Sequence, residues 1–137
     1  MKSIHKDIME FLISHTEELG LPSFIQMDYL PANQDAIAFQ PDASPKVERA
    51  YIGGSKVCSF PFTILATTKG SKSSEPSLKA IDWLNAIGSL FEGMSNFQLS
   101  DSRKILNGEA MTPALVNRHQ DGRLIYSISI NIRYEDN

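Results

Sequence analysis

The chain has 137 residues, 42% of them hydrophobic and 21% charged, with a formal net charge of −3. That length suits one domain able to bury roughly two-thirds of its unfolded-chain surface, and the composition is that of an ordinary globular protein. The negative balance removes the electrostatic case for tight nucleic-acid binding, which needs clustered Lys and Arg, and no run approaches the roughly 20 apolar residues of a membrane span.

The opening Met1-Lys2-Ser3-Ile4-His5-Lys6-Asp7 leads into an amphipathic stretch rather than an apolar core, so no signal peptide is expected. Ile4, Ile8, Phe11, Leu12, His15 and Leu19 recur at spacings of three and four, which predicts a first helix. Ser3 is its N-cap; Gly20 suits a left-handed cap and Pro22 prevents continuation. Two short strands follow, Phe24 to Leu30 and Asp35 to Gln40, with turn chemistry from Pro31-Ala32-Asn33-Gln34 between them. Pro41 to Arg49, with two prolines and mixed charge, reads as a loop or extended arm.

Ala50 to Lys69 reads as one long, interrupted strand. Gly53-Gly54 marks a bulge or sharp bend. Pro61 lacks an amide donor, so it lies at a sheet edge or its amide position faces away from the ladder. Gly70-Ser71-Lys72-Ser73-Ser74 is an exposed loop. Glu75-Pro76 opens a second helix whose stripe is Leu78, Ile81, Leu84, Ile87, Leu90, Phe91 and Met94, with Trp83 off its centre. Lys104 to Met111 forms a strand that Pro113 ends, and Asn117 to Gly122 returns the chain. In the last segment Leu124, Tyr126, Ile128, Ile130, Ile132 and Tyr134 fall on every second position, with Ser127, Ser129, Asn131 and Arg133 between. Successive strand side chains point to opposite faces, so this strand has one apolar and one wet face, and Asp121-Gly122 before it signals a hairpin. Helix, three strands, helix, then two or three strands predicts an α+β fold with a mainly antiparallel sheet.

Candidate chemistry is sparse. The only cysteine, Cys58, can close no intrachain disulfide, so the expectation is a soluble protein of a reduced compartment. It lies in a strand beside Phe60, where a free cysteine packs as a small apolar residue. His5 and His15 are several helical turns apart, and His119 sits with Asp121 in a turn; neither arrangement has metal-ligand spacing. Gly53-Gly54-Ser55-Lys56 lacks the spacing and the following helix of a phosphate loop. Asp7, Glu10, Glu17 and Glu18 on the first helix, and Asp82 and Glu92 on the second, read as solvated faces. Lys69, Lys72 and Lys79 make a small basic group at the second helix's entrance. Met111-Thr112-Pro113-Ala114-Leu115-Val116 either tucks over the sheet end or makes an apolar contact with another subunit. No catalytic residue, metal or cofactor is expected.

Several segments together resemble the small minor capsid or tail-completion proteins of siphophages and prophages, especially tail terminators. They are Leu19-Gly20-Leu21 closing the first helix, Phe60-Pro61-Phe62-Thr63-Ile64, the helix Leu78 to Phe91, and Thr112-Pro113-Ala114-Leu115-Val116 followed by Asp121-Gly122-Arg123-Leu124-Ile125-Tyr126. The similarity lies in the style and order of elements across most of the chain, not in a sharp motif. It implies a non-enzymatic subunit of a homo-oligomeric ring, commonly a hexamer, made in the host cytoplasm and placed at the virion head–tail junction. There it would cap the tail tube and join it to the head connector, with DNA passing through the lumen and no sequence-specific grip.

A closed ring needs a heterologous interface, one patch meeting a different patch on the neighbour. The physical reading offers four segments: the arm with Pro41, Pro45, Lys46 and Arg49; the loop with Lys69 and Lys72; Trp83; and the segment with Met111, Pro113 and Leu115. Another head–tail connector component fits the same residues. A small-molecule-binding or enzymatic α+β domain is the alternative from another class, and it predicts a pocket between sheet and helices. A nucleic-acid module would need aromatic and basic residues interleaved.

Overall fold

The computed structural model describes residues 3–22, 25–28, 34–68, 75–118 and 124–137. In chain order these hold helix α1 (Ile4–Ser14), the single turn α2 (Thr16–Leu19), and strands β1 (Ile25–Met27), β2 (Ala36–Pro41), β3 (Lys46–Ala50) and β4 (Lys56–Thr67). Helix α3 (Glu75–Glu92) and strands β5 (Ser95–Gln98), β6 (Arg103–Ala110), β7 (Ala114–Arg118) and β8 (Leu124–Asp136) follow. The fold is α+β and its sheet is mainly antiparallel, as expected; β1 and β2 are a parallel pair.

Alternation in the two longest strands dictates the layering. β4 and β8 pair antiparallel from Lys56↔Asp136 to Thr67↔Ile125. Cys58, Phe60, Phe62 and Ile64 therefore lie opposite Tyr134, Ile132, Ile130 and Ile128 on one face, and all eight are buried in the core. The opposite face carries Ser59, Pro61 and Thr63 across from Arg133, Asn131 and Ser129. β2 flanks the C-terminal half of β4 and β3 its N-terminal half. On the far side of β8, β7 and β6 divide the strand in the same way. β1 continues outward from β2, and β5 from β6.

This arrangement explains Pro61, which sits in a central strand. Its carbonyl accepts a hydrogen bond from the Asp42 amide at 3.2 Å. In an antiparallel strand a residue's amide and carbonyl point to the same side. The missing donor therefore falls at the break between β2 and β3, so the amide position faces away from the ladder, the second of the two sequence expectations.

Ser3 caps α1 as expected, accepting from the Lys6 amide at 3.2 Å. The helix does not run unbroken to Leu19. The Ser14 hydroxyl donates to the Phe11 carbonyl, His15 Nδ1 lies 2.9 Å from that same oxygen, and Thr16 donates to Ile13. Side chains that bond last-turn carbonyls compete with the helical ladder, and the chain restarts as α2, which Gly20 caps at φ +68°. Asp7 is not on a solvated face; it is buried. In α3 the buried stripe is Ala80, Trp83, Leu84, Ile87 and Phe91, continued past the helix end by Met94, while Leu78 is exposed. Trp83, expected off centre, is only 5% exposed and belongs to that stripe.

The other departures lie in short or interrupted strands. Gly53-Gly54 is the sharp bend of the two expectations rather than the bulge, a hairpin turn joining β3 to β4. Tyr51 and Ser55 close it with an amide-to-carbonyl bond of 2.8 Å, and Gly54 takes φ +96°. Residues 46–49 of the expected arm form β3 together with Ala50, and residues 114–118, read as connection and turn, form β7. β5 has no apolar period, so the sequence does not announce it. Expectations for Phe24, Pro31 to Asn33, the loop of Lys69 and Lys72, His119 and Asp121-Gly122 fall outside the described residues.

Helix α3 sits close against the sheet because two glycines admit it. A Cβ on Gly108 would stand 2.5 Å from the Phe91 carbonyl oxygen, and one on Gly88 would stand 2.7 Å from Ile128 Cδ1. The first obstacle is backbone, so helix and strand would have to separate. Gly108→Ala is expected to cost about 1–3 kcal/mol, read as a lower urea midpoint. Gly53→Ala, whose Cβ would meet nothing within 4 Å, should leave that midpoint unchanged.

Candidate interaction edges of the sheet

Among the described residues the pairing leaves four strands with an open side: β1 and β3 on the flank beyond β4, β5 and β7 on the flank beyond β8. Open edges present unpaired backbone groups, and proteins ordinarily protect them with charge or short length. Here each open strand carries an exposed large apolar residue among the described side chains: Met27 on β1, Val47 on β3, Phe97 on β5 and Leu115 on β7. Tyr51 and Ile52 are exposed at the β3–β4 hairpin tip, and Met111 between β6 and β7 is 69% exposed. Apolar residues scattered singly over a surface are ordinary; what distinguishes these is their place on open sheet edges, where a neighbouring strand would cover them.

Residues that pair across successive strands share a face and a level, which ties the edges to one another. One such row reads Val47, Cys58, Tyr134, Ile105 and Phe97. Both ends are exposed while Cys58, Tyr134 and Ile105 are buried. A second row reads Ile25, Ile37, Ala66, Tyr126 and Leu115.

Of the residues expected at an interface, Lys46 and Arg49 are exposed on β3, and Pro41 and Pro45 are half-buried at the bend between β2 and β3. Met111 and Leu115 are exposed and Pro113 is half-buried on the other flank. Lys69 and Lys72 lie outside the described residues. Trp83 offers no surface: it is buried, with Lys79 Nζ 5.5 Å from its ring centroid and that ammonium 3.2 Å from Asp35. Sequence reading did not single out Val47, Tyr51, Ile52 or Phe97. The Gly-Gly pair between two strands is the signal that finds the hairpin tip; a lone Phe in Ser95-Asn96-Phe97-Gln98 gives none.

Beside β5 the sheet and helices leave a groove of about 380 Å³ whose lining includes Phe11, Leu90, Met94 and Phe97. A neighbouring hollow of about 340 Å³ includes Asp7, Glu10, Ser100 and Asp101. The second borders a buried ionic cluster. Arg103 Nη1 lies 2.6 Å from Asp7 Oδ2 and Arg103 Nε 3.4 Å from Asp136 Oδ2, while the Ser100 hydroxyl donates to Asp7 at 3.1 Å. Burial works against the Arg103 charge, but the hydrogen bond to Asp7 and the nearby Asp136 and Asp7 charges outweigh it, and the pKa stands above its ordinary value. The cluster fastens α1 to the β5–β6 connection and to the end of β8. The centre of the layer between sheet and helices is filled, with Phe39, Phe60, Phe62, Leu84, Ile87 and Phe91 inaccessible to solvent, and the two hollows lie to its β5 side. No group of three His, Cys, Asp or Glu residues placed to hold a metal occurs among the described residues, and no helix there is long and apolar enough to cross a membrane.

No protein-family model matches this chain, and no curated protein is significantly similar to it.

Removing the carboxylate of Asp7 leaves Arg103 short of its nearest partner inside the protein. Asp7→Ala is expected to cost about 3–5 kcal/mol, the usual price of breaking a buried pair, measured by chemical denaturation. Tyr134 supplies a pH test. Burial, the Cys58 charge and the hydrogen bond shared with Cys58 push its phenol well above the ordinary 10.0, with Arg103 opposing. The native state therefore keeps a proton that the unfolded chain loses above pH 10, so this contribution is intact below pH 10 and falls as pH rises beyond it. The slope is at most about 1.4 kcal/mol per pH unit. Between pH 9 and pH 11 the wild-type urea midpoint should fall further than that of Tyr134→Phe.

Proposed function

We propose that this chain is a structural protein of a phage head–tail junction, a tail terminator whose copies close into a ring that caps the tail tube and meets the head connector. Its role is assembly rather than catalysis, and its partners are itself, the tail-tube protein and the connector. The observation that carries the reading is the placement of exposed apolar residues on opposite flanks of one sheet. A twofold contact pairs a patch with itself. A head-to-tail contact joins two different patches, and repetition of it closes a ring when the rotation allows.

The helix-free sheet face supports the same reading. Ser129, Asn131 and Arg133 are exposed there, and Arg133 is held by Glu48 at 2.9 Å. A face of hydroxyl and amide side chains, with Arg133 neutralised by Glu48, is suited to line a conduit that DNA passes through without being gripped.

Light scattering across a concentration series, with negative-stain imaging, tests this. The expected species is a closed ring with a central hole, formed alone or on addition of tail-tube protein. A monomer at every concentration that also fails to bind tail-tube protein would overturn the reading.

A further inference from the structure

The two flanks are stepped, and the steps match. From β4 outward, the half of the sheet at the β4 C-terminus extends through β2 to β1, while the other half stops at β3. Beyond β8 the order is reversed: the first half stops at β7, and the second extends through β6 to β5. If an identically oriented copy is set beside the first, the path from β4 to the next β4 crosses β8, β7, β1 and β2 in one half. In the other half it crosses β8, β6, β5 and β3. Both paths span five strand spacings, about 24 Å at about 4.8 Å per spacing. Both halves therefore meet their neighbours at a single separation, β7 beside β1 and β5 beside β3.

Four further observations favour a second copy as the occupant of these edges. Val47 and Phe97 end the same transverse row, so in the unshifted arrangement they meet at one level on one face. That face holds the groove beside Phe97 with Phe11, Leu90 and Met94, which is open and of a size to accept a side chain such as Val47. Charge also agrees: on the β3 flank the exposed Lys46, Arg49 and Lys56 outnumber Glu48, which is taken up by Arg133, and on the β5 flank Asp101 is exposed. The β3 strand directions follow too. β5 and β3 run the same way, and β7 and β1 run oppositely, both of which are allowed pairings.

We infer that copies of this chain join edge to edge, with β5 and β7 of one copy lying beside β3 and β1 of the next and Val47 of the second copy entering the Phe97 groove of the first. This rests on the reading of the chain as a self-assembling subunit and names the surface through which it assembles. The contact is heterologous, so each copy uses both flanks and the row that crosses its own core continues into its neighbours.

The test is cross-linking of Val47→Cys protein mixed with Phe97→Cys protein under mild oxidation, each variant alone serving as control. A disulfide needs the two Cα atoms within about 7 Å, so it reports this register and no other. The expected result is a covalent dimer in the mixture well above either control. Val47→Glu, at an exposed position, should keep the wild-type melting temperature and raise the concentration needed for assembly at least tenfold. Rings in the wild type without a cross-link above the controls would overturn this interface and leave the ring reading standing. An absence of both self-assembly and cross-linking would also overturn it, and binding to tail-tube protein would then decide the ring reading by itself.

Discussion

The pairing of β4 with β8 is the constraint on which the rest of the fold depends. It runs the length of β4 and sets one apolar face, from Cys58 and Tyr134 at one end to Ala66 and Tyr126 at the other. Each of these strands has a second edge, and on each that edge is shared between two shorter strands separated by a break. β2 and β3 divide one and β6 and β7 the other. The breaks make the outline of the sheet stepped, and the open strands that result are where exposed apolar side chains occur. Architecture and candidate interface therefore have a common origin in two long strands bordered by interrupted ones.

The helices are attached to that sheet by contacts of different kinds. α3 is seated by shape, through Gly88 and Gly108, which let helix backbone and strand backbone approach within reach of one another. Aromatic packing fills the space around it: Phe62 and Phe91 have centroids 5.4 Å apart and Phe11 and Phe91 5.9 Å, both edge-on as ring quadrupoles prefer. α1 is attached at one side by the charge cluster of Asp7 and Arg103, and at the other by His5 standing edge-on to Phe60 at 5.0 Å. A buried ion pair contributes little net stability relative to apolar packing, but it is strict about geometry. Its place here, between the start of the chain and the β5–β6 connection, fixes the position of the β5 flank relative to the helix layer.

Sequence periodicity showed what burial enforces. The alternation from Leu124 to Tyr134 located β8 and its faces, and the three-four spacing from Ile4 to Leu12 located α1. It failed where local chemistry or tertiary pairing decided instead. The break at His15 comes from Ser14 and Thr16 bonding nearby carbonyls, an effect of side chains that carry no hydrophobic signal. The parallel pairing of β1 with β2 depends on a connection, not on either strand's pattern. β5, with its single Phe, is a strand because β6 offers it a ladder. Asp7 occupies a polar position by pattern and is buried because Arg103 lies 96 residues away in sequence yet 2.6 Å away in space. The interface candidates followed suit: prolines and charges pointed to the β3 region and to Met111, while Val47 and Phe97 could be recognised only from the row they share.

Pro61 has a consequence for what happens before the sheet is complete. The segment Lys56–Thr67 combines β-branched and aromatic residues in a length that, unpaired, is suited to stacking on copies of itself into a fibril. Such a stack requires every backbone amide to bond to the chain above or below. Pro61 supplies none, and it does so at the point where the native ladder has a gap, so the native fold loses nothing by it. The proline thus acts as a gatekeeper against cross-β growth during the interval when β4 still waits for β8.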